Sequence, residues 1–162
     1  MKKLNVASVL FISMMLMHAT QAVAADDAQA KAKIDPAPAG WKISDLGMTT
    51  LGTNTELAAH CQLTSEGKSP VSLQNWAQGL KDAVKKGNTF KDFKASDLKA
   101  GKYGGHDAFE YDYSGDGMGG KVHYRVFFLS IGDNFVMLEC FTDPDHWDAA
   151  QKSFDELANH VK

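Results

Sequence analysis

Residues 121–142 read KVHYRVFFLSIGDNFVMLECFT, and this stretch decides the fold. Val126 to Leu129 and Phe135 to Leu138 are apolar at every position, and Gly132-Asp133-Asn134 is short enough to join them as a hairpin. A strand that is apolar on both faces must be covered on both faces. The stretch therefore predicts the centre of an antiparallel sheet with other elements packed on each side.

Further strands are indicated upstream. Leu57 to Leu63 and Phe109 to Tyr113 alternate with the two-residue period of half-buried strands. The glycine-rich segment Gly115 to Gly120 predicts a second hairpin, which joins the second of these strands to the central stretch. With the aromatic and β-branched residues that begin at Trp41, the predicted order is strand, strand, helix, four strands, helix.

Two amphipathic helices supply the cover. The first is expected to begin at Ser69-Pro70 or Ser72 and to end at Gly87, and the second to follow Asp143 as a cap with Pro144 in its first turn. The periodic apolar positions are Leu73, Trp76, Ala77, Leu80, Ala83 and Val84 in one helix and Trp147, Ala150, Phe154, Leu157 and Val161 in the other. We expect an α+β fold, a mostly antiparallel six-stranded sheet with one helix on each face (an α/β/α sandwich), in preference to both helices on one side.

The N-terminus predicts export. Residues 1–25 combine the positive start Met1-Lys2-Lys3, an apolar run shorter than the roughly 20 residues of a membrane span, and small residues that predict cleavage near Ala24 or Ala25. We therefore expect a signal peptide and a soluble periplasmic protein without a membrane span. Residues 26–40, DDAQAKAKIDPAPAG, are predicted to form a flexible leader, and residues 41–162 a single domain.

Charge argues against a nucleic-acid partner. The chain has 17 basic and 20 acidic residues, a formal net charge of −3, and Lys2 and Lys3 leave with the signal peptide. A nucleic-acid groove needs basic clusters that neutralise phosphates. We therefore expect no nucleic-acid partner.

Several packing and turn motifs resemble those of one superfamily. They are Trp41 at the start of the domain, the helix SLQNWAQGLKDAVKKG, the turn Gly104-Gly105-x-x-Ala108, the hairpin ending in VMLECF, and a final helix with Trp147 and Phe154. Over residues 41–162 the chain resembles the PsbP-like α/β/α sandwich, as a small exported bacterial member. The resemblance implies a binding scaffold more often than an enzyme, and none of its functional motifs transfers to particular residues here.

Cys61 and Cys140 are the two cysteines of the chain, and both lie on apolar strand faces. In an oxidising compartment such a pair is usually joined, which predicts a disulfide. The alternative is two buried free thiols that act as small apolar groups.

The glycine-rich segment GDGMGGK, residues 115–121, fits the dinucleotide pattern G-x-G-x-x-G and most of the phosphate-loop pattern G-x-x-x-x-G-K. Those patterns require a helix after the loop, whereas Val122 stands where Ser or Thr is needed and the following residues alternate as a strand. We interpret the segment as a hairpin tip, and glycine-rich tips between rigid strands are common contact points. His123 and Arg125 share one strand face beside it.

Metal and catalytic sites are not expected. Asp143, Asp145, His146 and Asp148 form the cluster DPDHWD, but acidic residues at a helix start are explained by capping and the helix dipole. His60, His106, His123 and His160 are scattered, and the sequence has no H-E-x-x-H or G-x-S-x-G motif. We expect no catalytic residue, metal or cofactor.

The sequence therefore favours a non-enzymatic protein-interaction module whose partner is another periplasmic or envelope protein. The candidate binding residues are Gly115, Asp116, Gly117, Met118, Lys121, His123 and Arg125. One alternative is an inhibitor or immunity protein against a cell-wall-degrading enzyme. Another is a small-molecule or lipid binder that uses aromatic surface between sheet and helix, from Trp76, Phe109, Tyr111, Tyr113 and Phe127.

Overall fold

The computed structural model describes residues 31–47, 49–67, 69–117 and 119–162. The predicted signal peptide and residues 26–30 lie outside this part of the chain. In chain order the elements are β1 (Lys42–Asp45), β2 (Thr49–Asn54), β3 (Ala59–Gly67), α1 (Leu73–Gly87), β4 (Lys91–Ala95), β5 (Lys99–Tyr103), β6 (His106–Gly117), β7 (Gly120–Ile131), β8 (Asn134–Thr142) and α2 (Trp147–Asn159).

The strands form one antiparallel sheet in the order β1-β2-β3-β8-β7-β6-β4, and β5 pairs with another part of β6. Eight strands are present in the described residues, so the predicted count of six is wrong. Short strands such as β1 (KISD) and β4 (KDFKA) are mostly polar and exposed, and they carry little alternation that a sequence pattern can detect. They form because a longer neighbour offers them hydrogen-bonding groups.

One helix covers each face of the sheet, which confirms the predicted α/β/α sandwich. Phe127 and Leu129 of β7 pack under α2 with Phe154, whereas Val126 and Phe128 pack under α1. Alternation along the strand sends neighbouring apolar residues to opposite faces. The doubly apolar run of β7 therefore serves two separate cores.

Helix α1 begins where one of the two predicted starts placed it. The hydroxyl of Ser72 accepts a hydrogen bond from the backbone N–H of Asn75, and the helix ends at Gly87 as predicted. Lys85 and Lys86 occupy its last turn, where cations favour the helix dipole. Of the helices in the described residues, none is long and apolar enough to cross a membrane.

Helix α2 begins later than predicted. Asp143 accepts a hydrogen bond from the backbone N–H of His146, so it caps the turn before the helix, and the helix itself starts at Trp147. Val161 also lies outside the helix, in an antiparallel bridge with Ile34. The three-and-four spacing continued past the helix because the bridge buries Val161 against the same core.

Residues 31–40 of the predicted leader contact the domain. Lys33 exchanges two backbone hydrogen bonds with Lys162, and the N–H of Asp35 donates to the carbonyl of His160. Ala32 and Ile34 are buried in the core under α2. This segment is therefore packed against the end of the chain.

The predicted disulfide joins Cys61 of β3 to Cys140 of β8. The two residues are directly opposite in the register of the two strands. Their side chains lie in the core under α2, which the bridge ties together across a sequence separation of 79 residues.

Candidate functional site

The predicted binding residues lie on the hairpin of β6 and β7, whose last pair is Gly117 and Gly120. Met118 lies outside the described residues. The chain after Gly120 continues as a strand to Ile131, so the loop is not followed by a helix as a phosphate-binding loop would be. Lys121 is exposed at the tip.

Two of the predicted residues have a packing role. A Cβ atom added to Gly115 would lie 2.6 Å from Cβ of Phe90, and a Cβ atom added to Gly117 would lie 3.0 Å from Cε1 of the Phe90 ring. A side chain at Gly115 would therefore clash with Phe90, and Gly117 allows the ring to approach closely. These positions hold the segment after α1 against the strand, on the side of the sheet that faces α1.

Arg125 connects the sheet to α2. Its Nε donates to Oδ1 of Asp112 at 2.8 Å and Nη2 donates to Oδ2 at 3.1 Å, while Nη1 donates to Asp155 at 2.8 Å. Nη2 also donates to Oε1 of Gln151 at 3.0 Å. Burial disfavours the Arg125 cation, but the hydrogen bonds and charges of Asp112 and Asp155 outweigh it and raise its pKa. The guanidinium is thus engaged within the molecule.

Trp147, the first residue of α2, marks the limit of the covered sheet. Its ring centroid lies 5.0 Å from that of His123, and its other neighbours include the Arg125 guanidinium, at 5.8 Å. Next to this contact is an open cleft of about 280 Å³. The cleft is lined by Lys94, Ala95, Ser96, Asp112, Tyr113, Ser114, His123 and Trp147.

Strand register aligns polar side chains beside this cleft in two rows. Lys94 pairs with Ser114, which pairs with His123; Lys91 pairs with Asp116, which pairs with Lys121. Residues opposite one another on adjacent strands point to the same face of the sheet. We call the six residues Lys91, Lys94, Ser114, Asp116, Lys121 and His123 the hairpin face.

The hairpin face brings together three of the predicted residues and adds three others. Asp116, Lys121 and His123 belong to the prediction, whereas Lys91, Lys94 and Ser114 do not. The two missed lysines lie on β4, a strand that the sequence did not predict. Lys91 and Lys94 are three residues apart in sequence, but the register shift between them places them opposite Asp116 and Ser114, in adjacent rows.

Four of the five residues of the predicted aromatic ligand surface lie together on the α1 side of the sheet, and the prediction is wrong for Phe127, which lies on the other side. Phe127 lies under α2, whereas Tyr111 and Tyr113 lie under α1 with Trp76 and Phe109 packed against them. Tyr113 stacks on Tyr124 at 4.4 Å, and its hydroxyl donates to Glu139 at 2.7 Å. Burial, together with the charge of Glu139, raises the pKa of Tyr113 well above its usual range.

The acidic cluster before α2 forms local contacts. Oδ1 of Asp143 lies 2.7 Å from Nδ1 of His146 and also accepts its backbone N–H. Within the described ranges, no group of three or more His, Cys, Asp or Glu side chains is arranged to hold a metal ion. Elsewhere His60 of β3 stacks on Phe141, and burial lowers the pKa of His60.

Solved structures share this architecture at low sequence identity. CyanoP, the cyanobacterial PsbP of Synechocystis sp. PCC 6803, matches with a TM-score of 0.57 and 13% identity over 89% of this chain and 98% of that one. LpqN of Mycobacterium tuberculosis, involved in cell envelope biogenesis, matches with a TM-score of 0.56 and 12% identity over 81% and 82%. PA94, a Pseudomonas aeruginosa protein of unknown function, gives 0.53 and 12% over 74% and 94%. No protein-family profile and no curated protein matches the chain.

Proposed function

The chain has a PsbP-like fold, and on that premise we propose that it is an exported, non-enzymatic module that binds another periplasmic or envelope protein through the hairpin face. The N-terminal sequence supports export, and a disulfide is typical of an oxidising compartment. The likeness to LpqN is compatible with a role in the envelope.

One observation carries this proposal, namely that α2 begins at Trp147 and leaves the end of the hairpin uncovered. On each side of the sheet the interior holds a cluster of buried side chains, whereas Lys94, Ser114 and His123 border an open cleft. Concave surfaces with a few convergent polar groups and an aromatic wall are typical binding sites. Trp147 supplies that wall.

The chemistry of the cleft supports binding over catalysis. Asp112 is the carboxylate that lines it, and both oxygens of Asp112 accept hydrogen bonds from Arg125. The carboxylate is therefore held in an ion pair within the protein. His123 packs against an indole ring, which gives its imidazole none of the proton relay that a carboxylate partner would supply.

A site-specific photo-crosslinker tests the proposal in living cells. Placed at the exposed Lys94, it should give discrete protein adducts in the periplasm, whereas the same group at the exposed Glu156 of α2 should not. A second substitution, Ser114→Arg, fills the cleft and should abolish the adducts at Lys94, whereas Thr55→Arg in an exposed turn should leave them unchanged.

Adducts of equal yield from both crosslinker positions, or none from either, would contradict the proposal. Mass spectrometry of the recovered protein tests export at the same time, because the expected N-terminus follows Ala24 or Ala25. Identification of a cell-wall-degrading enzyme in the adduct would narrow the function to an inhibitor or immunity protein.

A small-molecule ligand is the second candidate, favoured by the aromatic ring of Trp147 beside the polar groups of the cleft. The volume of about 280 Å³ lies slightly below the lower limit of about 300 Å³ for ligand pockets. A ligand co-purified with the protein, and lost in Ser114→Arg, would favour this candidate over a protein partner.

A further inference from the structure

We propose that the hairpin face recognises an acidic protein segment. This inference rests on the proposed function and names the chemistry of the partner. The local charge of the hairpin face is opposite in sign to the charge of the whole chain. Three of its six residues are lysines and one is an aspartate, whereas the chain has a net charge of −3.

The three lysines are available to a partner. Lys91, Lys94 and Lys121 are exposed, and no carboxylate in the described part of the chain lies within ion-pair distance of them. Lys31 and Lys102, by contrast, are each paired with an aspartate. Asp116 lies between Lys91 and Lys121 in the register, so the two cations are separated by one strand.

The dimensions of the hairpin face suit an extended chain. Neighbouring strands lie about 4.8 Å apart, so each row of three residues spans roughly 10 Å. This length matches about three residues of an extended peptide, which rises about 3.3 Å per residue. An acidic segment that crosses the strands therefore places carboxylates near Lys94 in one row and near Lys91 and Lys121 in the other.

Neighbouring acidic groups limit the site on one side. Asp112 beside the cleft is neutralised by Arg125, but Asp145 and Asp148 are exposed near the start of α2. These carboxylates repel an acidic segment. The segment is therefore expected to lie on the β4 side of Trp147.

The shape of the surface favours a protein segment over a membrane. Lys94 borders the cleft, and a flat lipid headgroup layer does not enter a concave surface. The large exposed apolar side chains in the described residues are Leu46 and Val71, which belong to other parts of the chain and provide no membrane anchor beside the lysines.

NMR titration of the isotope-labelled mature protein tests the inference with defined probes. The first probe is an acetylated, amidated peptide of alternating Asp and Gly, and the second has Asn in place of Asp. The Asp peptide should shift the amide signals of Lys94, Ser114 and His123, and the shifts should disappear at high salt. Vesicles containing phosphatidylglycerol and a single-stranded DNA are the other two probes.

Two variants of equal net charge separate the site from general electrostatics. The triple variant Lys91→Gln, Lys94→Gln and Lys121→Gln should bind the Asp peptide about tenfold more weakly, since each exposed ion pair contributes a modest amount. The control triple Lys42→Gln, Lys152→Gln and Lys162→Gln removes three exposed lysines elsewhere and should bind as the unmodified protein does.

Each other outcome overturns the inference. Equal weakening in both triple variants would show general electrostatic attraction without a defined site. Equally tight binding of the Asn peptide and the Asp peptide would show that charge is not recognised. Tighter binding of vesicles or DNA would identify another class of partner. The crosslinks at Lys94 test the proposed function separately from the acidic character of the partner. If Lys91→Gln with Lys121→Gln retains those adducts while Ser114→Arg loses them, the protein contact stands and its acidic character does not.

Discussion

The two faces of the sheet are built from different side chains. Under α2 the buried residues are mostly aliphatic, and the helix itself buries Ala150, Phe154, Leu157 and Ala158. Under α1 they are mostly aromatic, and of that helix only Ala77 is fully buried. Aliphatic side chains pack without polar requirements, whereas each buried phenol needs a hydrogen-bond partner. We therefore expect the core under α2 to contribute more of the stability.

Removal of the disulfide, which lies in the core under α2, should give the largest loss of stability. Replacing both Cys61 and Cys140 by alanine should lower the free energy of unfolding by about 4–5 kcal/mol, because the bridge closes a loop of about 80 residues in the unfolded chain. Equilibrium unfolding in urea measures the change. The contribution would be refuted if full reduction, verified by alkylation, left the unfolding midpoint of the unmodified protein in place.

Truncation of one large side chain on each face compares the two cores directly. Phe154→Ala should cost about 3–5 kcal/mol because the ring is fully buried under α2. Trp76→Ala should cost about 1–3 kcal/mol because the indole of α1 is only partly buried. Urea unfolding of the two variants gives both values. Equal costs would show that the aromatic core contributes as much as the aliphatic one.

Loss of the Arg125 cation tests how firmly α2 is tied to the sheet. Arg125→Met should cost about 1–2 kcal/mol, because Asp112 and Asp155 lose their partner but remain partly exposed to water. Lys152→Met on the exposed side of α2 is the matched control and should change stability by less than about 0.5 kcal/mol. Similar values for the two variants would show that the network adds nothing to stability.

His60, on the side of the sheet that α1 leaves partly open, should give the smallest effect, visible as a pH dependence. Burial lowers the pKa of His60 in the folded protein, so the unfolded chain takes up its proton first as the pH falls below about 6.5. Stability from this group is therefore present above that pH and decreases on acidification. The loss of stability between about pH 7.5 and pH 5.5 should be smaller in His60→Gln, measured by urea unfolding. An identical loss in both proteins would exclude His60 as its source.

Much of the fold could be predicted because its signals are local. The apolar runs around Phe127 and Val136 predicted central strands covered on both faces, and the spacing from Leu73 to Val84 predicted α1 with its end at Gly87. Ends of elements were harder. The start of α2 was placed too early because Asp143 caps a turn as well as it would cap a helix.

The candidate site could be predicted only in part. The glycines of residues 115–120 indicated the hairpin, and His123 and Arg125 indicated a binding surface beside it. Gly115 proved to be a packing residue, and Arg125 forms ion pairs within the protein. Lys91 and Lys94 gave no usable signal, because the chemistry of an exposed lysine says nothing about its neighbours until the strand register is known.

The sequence by itself determined the layered architecture and the location of the hairpin, since periodicity and turn chemistry depend on residues close along the chain. Tertiary structure decided the number of strands, the docking of residues 33–35 against the chain end and the six residues of the hairpin face. These features depend on pairing between segments far apart in sequence, where backbone hydrogen bonds and shared burial act without a local pattern.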